Sequence, residues 1–99
     1  MKTENYKMAS KIIGHYGAEH QKDILVEECA ELIQAVEKSR RLTHKPPFTA
    51  DIIEEMADVC IMLMQFDSLM SVYWHEQFEN AIESKLKRQL ERIEGERLD

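Results

Sequence analysis

The chain has 99 residues and a formal charge of −6, with three glycines and two prolines. That length holds one domain with a modest core and no room for a second, so the reading is a single domain over residues 1–99. The acidic balance argues against binding to polymeric nucleic acid, which normally needs a basic surface excess, and the scarcity of helix breakers beside abundant Leu, Ile, Ala, Met, Glu and Lys favours an all-α fold.

Thr3 to Tyr16 carries apolar residues at Tyr6, Ala9, Ile12, Ile13 and Tyr16, a helical spacing that Gly14 and Gly17 weaken at its end. A second helix is expected from Glu19 to Ser39, with Ile24, Leu25, Cys29, Leu32, Ile33 and Val36 on its apolar side and Arg40–Arg41 set favourably against its dipole. Leu42 to Phe48 is the connection, because Pro46-Pro47 cannot continue a helix. Thr49 follows as the expected N-cap, with Phe48 placed to staple against Ile53. The third helix, Ala50 to Met70, is apolar around most of its circumference and is expected to be the central, buried element. Its acidic residues Glu54, Glu55, Asp58 and Asp67 exclude a membrane span. After a junction at Ser68 to Tyr73, with Ser71 as a cap, a last helix is expected from Trp74 to Ile93. Its stripe is Phe78, Ile82, Leu86, Leu90 and Ile93. The third helix is apolar on more sides than one four-helix unit covers, so a homodimer or homotetramer is expected.

The chemistry-bearing residues sit in two acidic tetrads, Glu28-Cys29-Ala30-Glu31 and Glu55-Met56-Ala57-Asp58. On a helix, carboxylates three apart leave from one face. Here that face is apolar: Glu28 and Glu31 fall among Ile24, Leu25, Leu32 and Ala35, while Glu55 falls among Ile52, Val59, Met62 and Phe66, with Asp58 at the stripe's edge. A carboxylate in a core-facing stripe is costly unless its charge is offset. Four converging between two helices ask for a cation, and all-oxygen donors suit a hard divalent ion, Mg²⁺ first, with Mn²⁺ as a substitute. A lone Glu-x-x-Glu usually marks a solvated face; two of them in apolar stripes on consecutive helices are far more specific.

These two segments, Val26-Glu27-Glu28-Cys29-Ala30-Glu31-Leu32 and Ile53-Glu54-Glu55-Met56-Ala57-Asp58-Val59, resemble the motifs of the MazG-type all-α nucleoside triphosphate pyrophosphohydrolases. The basic run Lys85-Leu86-Lys87-Arg88 resembles that family's basic segment near the end of the domain, although Gln89 and Leu90 stand where relatives often carry another Arg and an aromatic. The resemblance implies a four-helix MazG-like bundle completed by a second subunit, and hydrolysis of a nucleoside triphosphate to monophosphate and pyrophosphate with magnesium. It implies Glu28, Glu31, Glu55 and Asp58 as catalytic metal ligands and Lys85 and Arg88 as contacts to the phosphate tail. A solvated helix end explains those two basic residues nearly as well.

Rival readings stand beside it. Enzymes on the same scaffold acting on dUTP, dCTP or phosphoribosyl-ATP share the acidic pairs, although the run Val59-Cys60-Ile61-Met62-Leu63 lacks the Tyr-His character expected of the phosphoribosyl-ATP enzymes. A metal- or nucleotide-binding oligomerisation module without turnover is the rival of a different class. A di-iron bundle would need Glu-x-x-His pairs, and none occurs. Cys29 and Cys60 are read as buried thiols. No charged-then-apolar leader opens the chain, which places it in the cytoplasm as an expectation.

Overall fold

The computed structural model describes residues 2–98, which form four α-helices and no strand: α1 (Thr3–Tyr16), α2 (Ala18–Ser39), α3 (Ala50–Asp67) and α4 (Val72–Leu98). The chain divides into two compact units, the first reaching Leu69 and containing α1 to α3, the second beginning at Met70 and containing α4. No helix among the described residues is long and apolar enough to cross a membrane.

In the first unit α3 packs against both α1 and α2. A single residue, Gly17, joins α1 to α2. Its backbone (φ 88°, ψ 153°) lies in a positive-φ region that residues with a side chain rarely adopt, which favours glycine there. The Gly17 N–H closes α1 on the Ile13 carbonyl at 2.8 Å, and the Gly17 carbonyl accepts the Gln21 N–H at 3.1 Å to open α2. The buried apolar residues are Ala9 and Ile13 from α1, Ala35 from α2, and Ile52, Met62 and Met64 from α3. Leu25, Leu32, Val36, Val59 and Phe66 are half-buried around them.

Thr49 caps α3 as its sequence context implies: its side-chain oxygen accepts the Ile52 N–H at 3.2 Å. Thr49→Ala is expected to lower stability by about 1 kcal/mol, the usual worth of such a cap, as measured by urea unfolding. The hydrophobic staple does not form, since Phe48 and Ile53 remain 62% and 51% exposed. The third helix also stops earlier than its apolar run implies. Ser68 closes it at Asp67, donating its N–H to the Met64 carbonyl (3.0 Å) and its hydroxyl to the Gln65 carbonyl (2.6 Å).

Three burial expectations need correction. Cys29 and Cys60 are free and exposed, and Ile33 is 62% exposed; Cys60 lines an open groove between α1 and α3 rather than a closed interface. The third helix is central but not fully buried: Ile53, Met56, Ile61 and Leu63 all remain exposed.

In the second unit Ser71 caps α4, its hydroxyl accepting the Trp74 N–H at 3.3 Å. The helix therefore starts at Val72, earlier than its apolar stripe alone implies. It runs past Ile93, through Gly95, to Leu98, and charged pairs favour it, among them Lys87–Glu83 (3.1 Å) and Arg97–Glu94 (3.4 Å). Every α4 residue from 72 to 97 is exposed, the stripe of Phe78, Ile82, Leu86, Leu90 and Ile93 included.

Candidate metal centre

The α2–α3 seam brings together all four tetrad carboxylates. One ligand oxygen from each of Glu28, Glu31, Glu55 and Asp58 lies within 4.8 Å of the other three. Glu28 and Asp58 meet within hydrogen-bonding reach across the seam, as do Glu31 and Glu55. The helices are thus antiparallel, and each i, i+3 pair on α2 faces its counterpart on α3. Glu28 and Glu55 are half-buried, while Glu31 and Asp58 are exposed at the rim.

The electrostatics of this arrangement are unfavourable without a cation. Burial, then the charges of Glu31, Asp58 and Glu55, hold the Glu28 carboxyl above its ordinary value of 4.5. Burial, then Glu31 and Asp58, raise Glu55 likewise. Each of these two residues also keeps one oxygen, Oε2, buried with no hydrogen-bond partner. Most buried polar atoms find a partner, so two orphaned carboxylate oxygens in one cluster need a cause. A hard divalent cation fits this donor set: it takes oxygen ligands, neutralises converging anions and would engage the orphaned atoms.

The raised values carry a sign. Below 4.5 the two carboxyls are protonated whether the chain is folded or not. As pH rises from there through the raised folded-state values, the folded chain holds more protons than the unfolded one, so these groups progressively reduce stability. The reduction is complete above those values. In chelator, the melting temperature of the native chain should therefore fall, relative to a Glu28→Gln/Glu55→Gln variant, as pH is raised from mild acid to neutrality. A constant difference between the two melting curves would contradict this account.

One further feature escaped sequence reasoning. A cleft of 230 Å³ opens beside the quartet, lined by Glu31, Gln34, Ala35, Lys38, Asp51 and Glu55. Lys38 lies seven residues beyond Glu31 and so returns to the same helical face. That spacing was the available signal. A larger apolar groove of 440 Å³ runs between α1 and α3, lined by Met8, Ala9, Ile12, Cys60, Ile61 and Met64 among others. Its α3 residues lie roughly 140° around the helix from Glu55 and Asp58, at about 100° per residue, so it belongs to the opposite face. Lys85 and Arg88 lie on α4, in the second unit, and the quartet and its cleft are built wholly from the first.

Compared with known proteins, the chain matches no family model, no curated protein and no solved structure.

Proposed function

We propose that the chain is a magnesium-dependent nucleoside triphosphate pyrophosphohydrolase, releasing the monophosphate and pyrophosphate from a ribo- or deoxyribonucleoside triphosphate as part of nucleotide-pool housecleaning. The observation that carries this reading is the carboxylate quartet with its two orphaned oxygens. The MazG-like spacing of both acidic motifs gives the reaction class.

Glu28, Glu31, Glu55 and Asp58 would hold the metal. When bound, it would supply charge neutralisation at the phosphate oxygens and lower the pKa of the attacking water. The chain's own residues do the rest. Glu31 and Glu55 both belong to the quartet and to the adjoining cleft, so a carboxylate of the cluster is available there to accept the water's proton. Lys38, in the same cleft, offers an ammonium to the anionic triphosphate as a charge-assisted donor. Lys85 and Arg88, three apart on one face of α4, are assigned the phosphate tail on their family-like position alone. The active species is a homodimer or homotetramer; the exposed apolar residues on α3 and along α4 support it.

The test is pyrophosphate and monophosphate release from a panel of ribo- and deoxyribonucleoside triphosphates, dUTP, dCTP and phosphoribosyl-ATP included, with Mg²⁺, with Mn²⁺ and in chelator. Metal-dependent release from one or a few members is the expected outcome and names the substrate. A folded chain that binds Mg²⁺ and cleaves no member would instead make this a non-catalytic binding or oligomerisation module.

A further inference from the structure

The quartet works only if α2 and α3 lie in one register, and a second polar contact lies on the same seam. Gln21 and Gln65 are 4% and 2% exposed, among the most buried residues of the first unit. The Gln21 Nε2 donates to the Gln65 Oε1 at 2.8 Å. The remaining amide atoms are also engaged: Gln21 Oε1 lies 2.7 Å from His20 Nδ1, and Gln65 Nε2 reaches the Met62 sulfur at 3.4 Å.

This pair shares its register with the carboxylates. Moving seven residues along α2 from Gln21 gives Glu28, and seven back along α3 from Gln65 gives Asp58, its partner across the seam. Three more steps on each helix give Glu31 and Glu55. The alignment also sets Ile24 opposite Met62, so the seam positions recur at alternating steps of three and four, as in a coiled coil. Sliding one helix by a turn, about 5.4 Å, would set Gln21 against Met62, or Gln65 against Ile24. A buried amide left unsatisfied is costly, and a buried polar pair at such a position is an established way to fix register. The slip would also split the quartet, leaving one carboxylate pair across the seam, Glu28 with Glu55 or Glu31 with Asp58 according to its direction.

We propose that Gln21 and Gln65 are positioning residues, an amide clamp that holds α2 and α3 in the one register at which the four carboxylates converge. The clamp acts against the mutual repulsion of those carboxylates, which otherwise favours any register that separates them. The inference rests on the metal-centre reading for its functional consequence, but the register itself is measurable without metal.

The test uses the full chain and the variants Gln21→Leu/Gln65→Leu and Gln65→Met. Exposed Cys29 on α2 and Cys60 on α3 accept nitroxide labels, and dipolar EPR in chelator, diluted with unlabelled chain, reads the interhelical distance. Mn²⁺ affinity is measured separately on unlabelled protein by calorimetry. The native chain should give one narrow distance distribution. Either variant, folded by circular dichroism, should broaden it or add a second population, and Mn²⁺ affinity should fall by about 10- to 100-fold, the range seen when groups that orient metal ligands are removed. Folded variants with the native distribution overturn the clamp, and so does loss of folding in both, which would make the pair a stability element only. If the native chain binds no Mn²⁺ while the variants still shift the distance distribution, the metal reading fails and the register clamp stands.

Discussion

Replacing Glu55 with glutamine is expected to raise the melting temperature of the metal-free chain and to abolish its metal-dependent turnover. Both effects have one cause. Glu55 stands half-buried against Glu31, with one oxygen buried and unpartnered, and both burial and charge disfavour its ionised form. Glutamine has the same shape without the charge, and its amide can donate to Glu31 where a second carboxylate can only repel. The apo fold is relieved and the donor set loses a ligand. Changing groups that merely orient ligands already costs about 10- to 100-fold, so turnover should drop at least 100-fold. The melting-temperature gain that Mg²⁺ gives the native chain at neutral pH, which follows from preferential binding to the folded state, should nearly disappear. Glu54→Gln is the control: Glu54 is exposed and outside the quartet, and its charge is the smallest of the causes that raise Glu55, so stability should stay within about 0.5 kcal/mol of native. A Glu55→Gln protein less stable than native in chelator, or one that retains turnover, would show that Glu55 is an ordinary structural carboxylate. Such opposition between stability and activity is expected where a site stores repulsion that its ligand relieves.

How much of this was legible in the sequence differs by level. The helices were, because amphipathic period and punctuation agree: Gly17, Thr49 and Ser71 each stop or start a helix for a stereochemical reason the residue itself carries, and Pro46-Pro47 lie within the connection between α2 and α3. The four carboxylates were legible because charge in an apolar stripe is anomalous. Exposure of Cys29, Ile33 and Cys60 was not, since period says which residues share a face and not whether anything in the chain covers it. Gln21 and Gln65 were missed for the opposite reason. Glutamine is ordinarily a surface residue, and only the matching seven-residue offsets from Glu28 and Asp58 reveal that both belong to the seam. Lys38 was signalled only by its seven-residue spacing from Glu31, and the cleft gives that spacing its meaning.

Ile13→Ala should have the largest effect on stability, and it tests whether the scaffold is separable from the site. Ile13 is 1% exposed, and Ile13 and Gln65 are the largest side chains so completely enclosed. It is contributed by α1, the helix that brings no carboxylate to the quartet but packs on α3. Truncating a fully buried isoleucine costs about 2–5 kcal/mol, the transfer of the lost methyl and methylene groups plus the cavity left behind. The buried apolar set of the first unit is short and already contains two alanines, Ala9 and Ala35, so little can collapse inward to refill the space. At about 4–8 °C per kcal/mol for a domain of this size, the melting temperature should fall by at least about 8 °C. Ile12→Ala, one residue earlier but 38% exposed, should cost far less. Well below its melting temperature, the Ile13→Ala protein should bind Mn²⁺ as the native chain does, because α2 and α3 alone supply the ligands and their register. Saturating metal should then recover part of the loss, about 2.7 kcal/mol at a hundred times the dissociation constant. A fall in Mn²⁺ affinity in the still-folded variant would mean that α1 sets the geometry of a seam it does not join, and that the quartet depends on the whole three-helix unit.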